Sequence, residues 1–458
     1  MSFIQWNKLR KNPTRLLVGG FVATALAGGV VLSLPFSSSG ARVSFIDALF
    51  TATSAVCVTG LTVCDTGTTF SAFGQTAILL LIQLGGLGIT TLSTALFLLF
   101  GQRTSLSAGE VVESNFLARP RGKLKTLLLQ IFIWTVAIEA VGALTLLPAE
   151  LARLPVLQAV WSASFHAVSA FCNAGFSLRP DNLMSARSNP AVILPIAGLI
   201  ILGGIGFSVI TELFDHLKER VRGRSARRLS LHTKTALTTT GLLLLAGTCG
   251  FWALESHNLL NGSNLTSRFL ISFFASVTPR TAGFNSIDYL QATTATVFVT
   301  IVLMLIGGCP GSTAGGIKVT TLAVLFASAR ARLRGSRRAR LFNRGIPQLA
   351  VDKAFSVVVL ASVFIIAGIL LLSTVGFSHL SRINNAGQPV GILFEVVSAL
   401  CTVGLSTGIT PTLTAGGKSI LILLMFIGRL GPLTIAVAIA RHEPAPAVRL
   451  AEEPIMIG

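Results

Sequence analysis

Apolar residues run through most of this chain in long stretches, separated by short polar and basic segments. Seven stretches are long enough to cross a bilayer core of about 30 Å: Leu16 to Phe36, Thr76 to Gly101, Thr126 to Leu147, Ala191 to Thr211, Thr235 to Leu254, Ala354 to Phe377 and Ser419 to Ala440. Their only charges are Glu139 and Arg429. An eighth, Ala292 to Ser328, carries Lys318 and is broken in its middle by glycines and a proline. The pattern predicts an all-α polytopic membrane protein with eight transmembrane helices. Between paired spans lie semi-apolar segments such as Ile46 to Val58 and Val160 to Cys172. These are too short to cross, and lengths of about 10 to 14 residues predict re-entrant pore helices.

The same pattern recurs four times. Phe50, Phe165, Phe273 and Phe394 each stand ten residues before a glycine that Leu or Phe follows: Gly60-Leu61, Gly175-Phe176, Gly283-Phe284 and Gly404-Leu405. Self-similarity at this spacing is the mark of a repeat. It divides the chain into 1–122, 123–230, 231–345 and 346–458, each a span, a pore helix with its filter loop, and a second span (M1-P-M2). The third unit has a broken last span, and the fourth ends in a short tail. Non-helical backbone at membrane depth survives only where protein buries it or water reaches it. Four such returns around one axis predict a central pore.

Composition supports a lipid solvent, with 52% hydrophobic and 12% charged residues where a soluble domain carries about 25% charged. Twenty-six of the 36 Lys and Arg fall at the N-terminus, in 103–125, 218–234 and 330–353, and in the C-terminal tail, while eight fall on the other side. Under the positive-inside rule the first side, with both termini, is cytoplasmic, placing a multi-pass protein in the plasma (inner) membrane. The net charge of +19 is then mainly a topology signal, joined by attraction to anionic membrane lipid. Nucleic acid is the rival partner, but no aromatic platform accompanies the basic loops. The apolar run after Lys8, Arg10 and Lys11 resembles a signal peptide, yet it continues uncharged to Phe36 and reads as a retained helix.

Selective passage of a dehydrated alkali cation needs oxygens in place of its water, which backbone carbonyls supply. Glycine accepts the positive φ such a strand requires. Val58-Thr59-Gly60-Leu61, Asn173-Ala174-Gly175-Phe176, Thr281-Ala282-Gly283-Phe284 and Thr402-Val403-Gly404-Leu405 are the candidate filter. Asp65, Asp181 and Asp288 follow three of these glycines, and read either as solvated loop acids or as a cation-concentrating mouth. Cys57, Cys172 and Cys401 stand three residues before a filter glycine, with Arg280 in that place in the third unit; the thiols read as packing groups.

The segments around Asp65, Asn173-Ala174-Gly175-Phe176, Arg280-Thr281-Ala282-Gly283-Phe284-Asn285 and Thr402-Val403-Gly404-Leu405, with Gly311 to Lys318 and Gly428 to Thr434, resemble the Trk/Ktr/HKT superfamily of potassium transporters. Within it the chain is most similar to potassium-translocating subunits of the KtrB type. The resemblance implies K+ as the transported ion, a homodimer with one pore per subunit, and control by a cytosolic nucleotide-binding ring of the KtrA type. Na+ as activator, or coupling to Na+ or H+ in an alternating-access symporter, stays open, although repeats that all begin on one side favour a fixed pore over inverted repeats.

Below the filter, Gly307-Gly308-Cys309-Pro310-Gly311-Ser312-Thr313-Ala314-Gly315-Gly316 cannot remain a continuous helix through Pro310. Arg429 falls at similar depth in the last span, and a lone arginine there usually faces an interior or aqueous path. Loop and arginine are the candidate gate, against the plainer reading of a packing kink. Gly85-Gly86 and Gly203-Gly204 lack such polar neighbours and read as close helix packing. A phosphate loop fails, because Ile317 separates Gly316 from Lys318. Scattered histidines and acids form no catalytic set, and no organic cofactor is expected. His166 and Glu395, both nine residues before a filter glycine, read as hydrogen-bonding anchors.

Overall fold

The computed structural model describes residues 13–88, 124–223, 228–336, 338–377 and 388–431. Apart from single turns such as Thr66–Thr69, their helices are α1 Pro13–Leu32, α2 Phe45–Val56, α3 Ala72–Gly86, α4 Leu124–Leu151, α5 Val156–Phe171, α6 Pro190–Ile205, α7 Phe207–Val221, α8 Leu231–Glu255, α9 Leu265–Val277, α10 Thr294–Leu305, α11 Val319–Leu333, α12 Gln348–Val375, α13 Gln388–Leu400 and α14 Ala415–Leu430. One short hairpin, β1 Arg340–Leu341 with β2 Arg344–Gly345, joins α11 to α12. Hydroxyl and amide side chains set many of the starts. Ser44, Ser71, Asn189, Ser230, Asn264, Thr293 and Thr414 each accept a backbone N–H of the first turn, satisfying donors that a helix leaves unpaired.

Three helices, Leu129–Leu151, Leu231–Glu255 and Gln348–Val375, are long and apolar enough to cross a membrane unaided. The run from Ala191 to Thr211, expected as one span, bends by 101° between α6 and α7. Gly206, at φ 95°, is the pivot; a side chain there would be strained. Continuous apolarity concealed the break, because both arms bury apolar side chains. In the span expected from Thr76 the helix runs to Gly86, and in that from Ser419 to Leu430; positions 89–101 and 432–440 lie outside the described residues. The helices after the four glycine motifs are α3 to Gly86, α6 to Ile205, α10 to Leu305 and α14 to Leu430.

Four of the buried clusters each join at least two units. The first joins α4 to α6 with Leu270, Phe274 and Phe284, and the second joins Phe21, Ile78 and Ile82 with Phe165 and Phe176. A third packs Phe50, Cys57 and Leu61 against Leu372, Leu400 and Met425, and a fourth packs Ile271, Met304 and Tyr289 against Phe394 and Val403. Units 1 and 2, 2 and 3, 3 and 4, and 4 and 1 thus share cores. The last junction also carries an ion pair between Lys418 and Asp47.

Candidate functional site

The helices α2, α5 and α13 end with one residue left before their glycine motifs, and α9 with three, so the negative ends of their dipoles precede the four motifs. Beyond each, the chain turns twice through left-handed backbone. Gly60, Gly175, Gly283 and Gly404 have φ of 94°, 69°, 75° and 93°, and two residues earlier Val58, Asn173, Thr281 and Thr402 have φ of 53°, 60°, 64° and 50°. The glycines are the expected positions. The second set was missed, since Val and Thr at positive φ are outliers that no side-chain preference announces; such strain persists where the surroundings over-determine it.

The glycines meet in a ring that follows chain order. A methyl group built on Gly60 would lie 2.5 Å from the Ala174 carbonyl oxygen, and one on Gly175 would lie 2.8 Å from that of Ala282. One on Gly283 would strike the Val403 carbonyl, and one on Gly404 the Thr59 carbonyl and, at 2.9 Å, Gly60 Cα. Each carbonyl belongs to the residue before the next unit's glycine. The ring is narrow, for Thr59 O is also 3.2 Å from the methyl position on Gly283. Thr59 and Thr402 have buried hydroxyls that find no partner among the described residues.

Side chains behind the ring hold it in two ways. Ser54 and Ser398 accept from the N–H groups of Gly60 and Gly404, at 3.0 and 3.1 Å. Ser169 and Thr278 donate to the carbonyls of Phe176 and Phe284, both at 2.7 Å. Thr278 stands one residue nearer its glycine than the three serines do theirs. The third unit is therefore slipped by one, and Phe274, fully buried, fills the place where the spacing pointed to the half-buried Phe273. His166 reaches Ser177 at 3.0 Å and the Ser162 carbonyl at 2.7 Å. Glu395 accepts from the Thr407 N–H at 3.0 Å and the Thr410 hydroxyl at 2.7 Å. Both fasten the chain leaving the ring, in matching places.

Farther out, Asp65 caps one helical turn through Thr68 N–H at 2.7 Å, and Asp181 and Asp288 accept backbone N–H groups of Ser185 and Leu290 at 2.7 and 3.0 Å. Arg179 pairs with Glu150 in a buried ion pair. Cys172 contacts Gln83 and Glu139, each at 3.7 Å, so this thiol takes part in a polar contact beyond packing.

Residues 307–316 abut the ring and touch the second, third and fourth units directly. Thr313 Oγ1 donates to the Phe171 carbonyl at 3.1 Å, and the Thr281 hydroxyl accepts from Gly315 N–H at 3.2 Å. A methyl on Gly315 would lie 2.8 Å from Cys401 O and strike the Thr402 hydroxyl. Cys309 and Thr313 donate their N–H groups to the carbonyls of Gly204 and Gly203, at 2.8 and 3.2 Å. The glycine pair at 203–204 thus does more than pack helices, and Gly85 does too. Arg429 donates to the carbonyls of Thr313 and Gly85, tying α14, the loop and α3 together.

Two further cations reach the loop. Lys318 donates to Ala314 O at 2.7 Å and Gly315 O at 3.4 Å. Arg280 reaches Gly307 O and Thr240 Oγ1, each only at 3.4 Å, and its Nε is unpartnered. A cavity of about 10 Å³ lies beside it, lined by Ile200, Gly204, Thr240, Val277 and Gly308 among others. Among the described residues no group of three or more His, Cys, Asp or Glu is arranged to hold a metal.

Residues 19–449 match the family model TrkH, described as cation transport protein. The chain is 40% identical to the Ktr system potassium uptake protein B of Bacillus subtilis, over 96% of this chain and 95% of that one. It is 38% identical to the potassium/sodium uptake protein NtpJ of Enterococcus hirae, over 98% of each. Among solved structures, the potassium transporter TrkH from Vibrio parahaemolyticus superposes with a TM-score of 0.68 at 20% identity, covering 92% of this chain and 85% of that one.

Proposed function

The chain belongs to the TrkH family of cation transport proteins, and we propose that it is the potassium-translocating, channel-like subunit of an uptake system. On this reading four M1-P-M2 units, 1–122, 123–230, 231–345 and 346–458, surround one pore. Dehydrated K+ passes Val58 to Leu61, Asn173 to Phe176, Thr281 to Phe284 and Thr402 to Leu405, and residues 307–316 with Arg429 gate it from below. One observation carries the proposal: the four glycines close on the carbonyls of Ala174, Ala282, Val403 and Thr59 in cyclic order. Carbonyls gathered around one axis replace an ion's hydration shell. The helix ends behind them and the unpartnered hydroxyls of Thr59 and Thr402 fit a cation as well. The relatives' names supply the ion, since the two quoted above are uptake proteins for potassium or potassium and sodium.

The protein lies in the plasma membrane, both termini cytoplasmic, as a homodimer. The exposed Arg332, Arg334, Arg338, Arg340 and Arg344, around the hairpin between α11 and α12, offer a basic surface to an acidic cytosolic regulatory ring. A "Ktr system" relative supports the existence of further subunits.

The test is flux of K+ and of Na+ into vesicles holding only this protein, each with and without the other ion, for the parent and for Gly60→Ser. The parent should take up K+ preferentially, and the variant should lose that preference. An unchanged ratio in folded Gly60→Ser removes Gly60 from the filter. K+ uptake that requires a Na+ or H+ gradient would establish the symporter.

A further inference from the structure

Lys318 breaks a local rule. It is the N-cap of α11, with no side-chain cap bond, where a positive charge meets the positive end of the helix dipole. Neutral Ser, Thr or Asn caps seven other helices here. The ammonium does not escape to solvent; it folds back onto the carbonyls of Ala314 and Gly315. Neither carbonyl accepts a backbone N–H from the described residues, and unpaired carbonyls at membrane depth are costly. These oxygens sit at the foot of the filter, because Gly315 is pressed between Thr281 and Thr402.

An ammonium and a potassium ion are alike in charge and close in size, and both are satisfied by carbonyl oxygens. We infer that the carbonyls of Ala314 and Gly315 form an inner alkali-cation site beneath the filter, and that the Lys318 ammonium fills it as a tethered surrogate while the loop is closed. This rests on the filter-and-gate reading and gives the loop a ligand of its own. The two main cations then divide the labour. Arg429 offers a rigid planar fork and bridges two carbonyls 228 positions apart, Gly85 and Thr313. Lys318 is a compact charge on a flexible stem, suited to leave and return. Its departure vacates two oxygens for the next ion in the queue and withdraws a repelling charge from the path.

Tl+ anomalous diffraction decides this on crystals of the parent, Lys318→Met and Lys318→Gln. The parent should show Tl+ in the filter alone. Both variants should add one peak between Ala314 O and Gly315 O, and K+ flux in vesicles should rise on the order of tenfold as a unit charge leaves the path. Filter peaks without the added peak in either variant overturn the inference, as does flux at or below the parent's in folded variants. If the parent's filter holds no Tl+, the filter reading itself fails. If filter peaks are present and Arg429→Ala raises flux while no inner peak forms, the gate reading stands and the surrogate falls.

Discussion

The ring of glycines and the loop beneath it are nearly in contact, yet they are held by different means. The ring is backbone against backbone: four units contribute alike, and each glycine is boxed in by its neighbour's carbonyl. The loop is held unequally, by a few backbone bonds to the second unit and by long side chains, with Arg429 of the fourth unit joining the loop to Gly85 of the first and Arg280 of the loop's own unit barely reaching. Contacts that share one geometry resist piecemeal failure. Contacts that depend on single flexible side chains allow a segment to open at low cost. Selection fits the first arrangement and gating the second, so damage to one should leave the other's property intact.

The hardest blow to this contrast falls on the ring. Gly404→Ser places a side chain at φ 93° against Thr59 O and Gly60, a strain of about 1–3 kcal/mol before any clash. The ratio of K+ to Na+ flux should fall at least about tenfold, and the folded protein should melt at lower temperature. A retained ratio would mean that the ring is not the selective element.

Next comes the loop's strongest tie. Arg429→Ala removes two charge-assisted hydrogen bonds, each worth roughly 1.5–3 kcal/mol, and K+ flux should rise about tenfold or more with selectivity kept. Deleting Cys309 to Thr313 should raise flux similarly, and the two changes together should fall short of their product, because they disable one device. Lower flux in both folded variants would make the loop a support of the pore.

A milder change sharpens the distinction within the ring. Ser54→Ala leaves the buried Gly60 N–H without its acceptor, at about 1–3 kcal/mol, while Ser169→Ala strips a donor from the Phe176 carbonyl, which retains ion-facing capacity. The first should cost more selectivity than the second. The smallest effect belongs to Arg280→Met. Contacts at 3.4 Å and an unpartnered Nε leave little to lose, so stability should change by less than about 1 kcal/mol, and selectivity not at all. A large loss would promote Arg280 to a third latch.

The sequence made the glycines legible because positive φ and close approach both exclude a Cβ, and only glycine meets both demands. It could not reveal Val58 or Thr402 in left-handed backbone, which packing imposes against the residues' own preference. Phe273 and Phe274 are adjacent, so spacing alone could not choose between them; burial does. Arg429 advertised a polar partner through its position in an apolar span, but Gly85 O is distant in sequence and a carbonyl carries no residue signature. The bend at Gly206 was hidden by apolar neighbours on both sides, and the hairpin by its two-residue strands.

A single chain that closes a circle has a seam. Three junctions between units are crossed by the polypeptide itself, whereas the junction of the fourth with the first has no covalent crossing. There the cluster around Phe50 and Met425, the Lys418–Asp47 ion pair and the Arg429–Gly85 bond do the joining. During synthesis the first unit must therefore wait for the last, with one flank of its Thr59–Gly60 backbone unmatched until Gly404 and α14 arrive. Assembly can nucleate at any of the other junctions, but the circle is complete only when residues separated by nearly the whole chain meet.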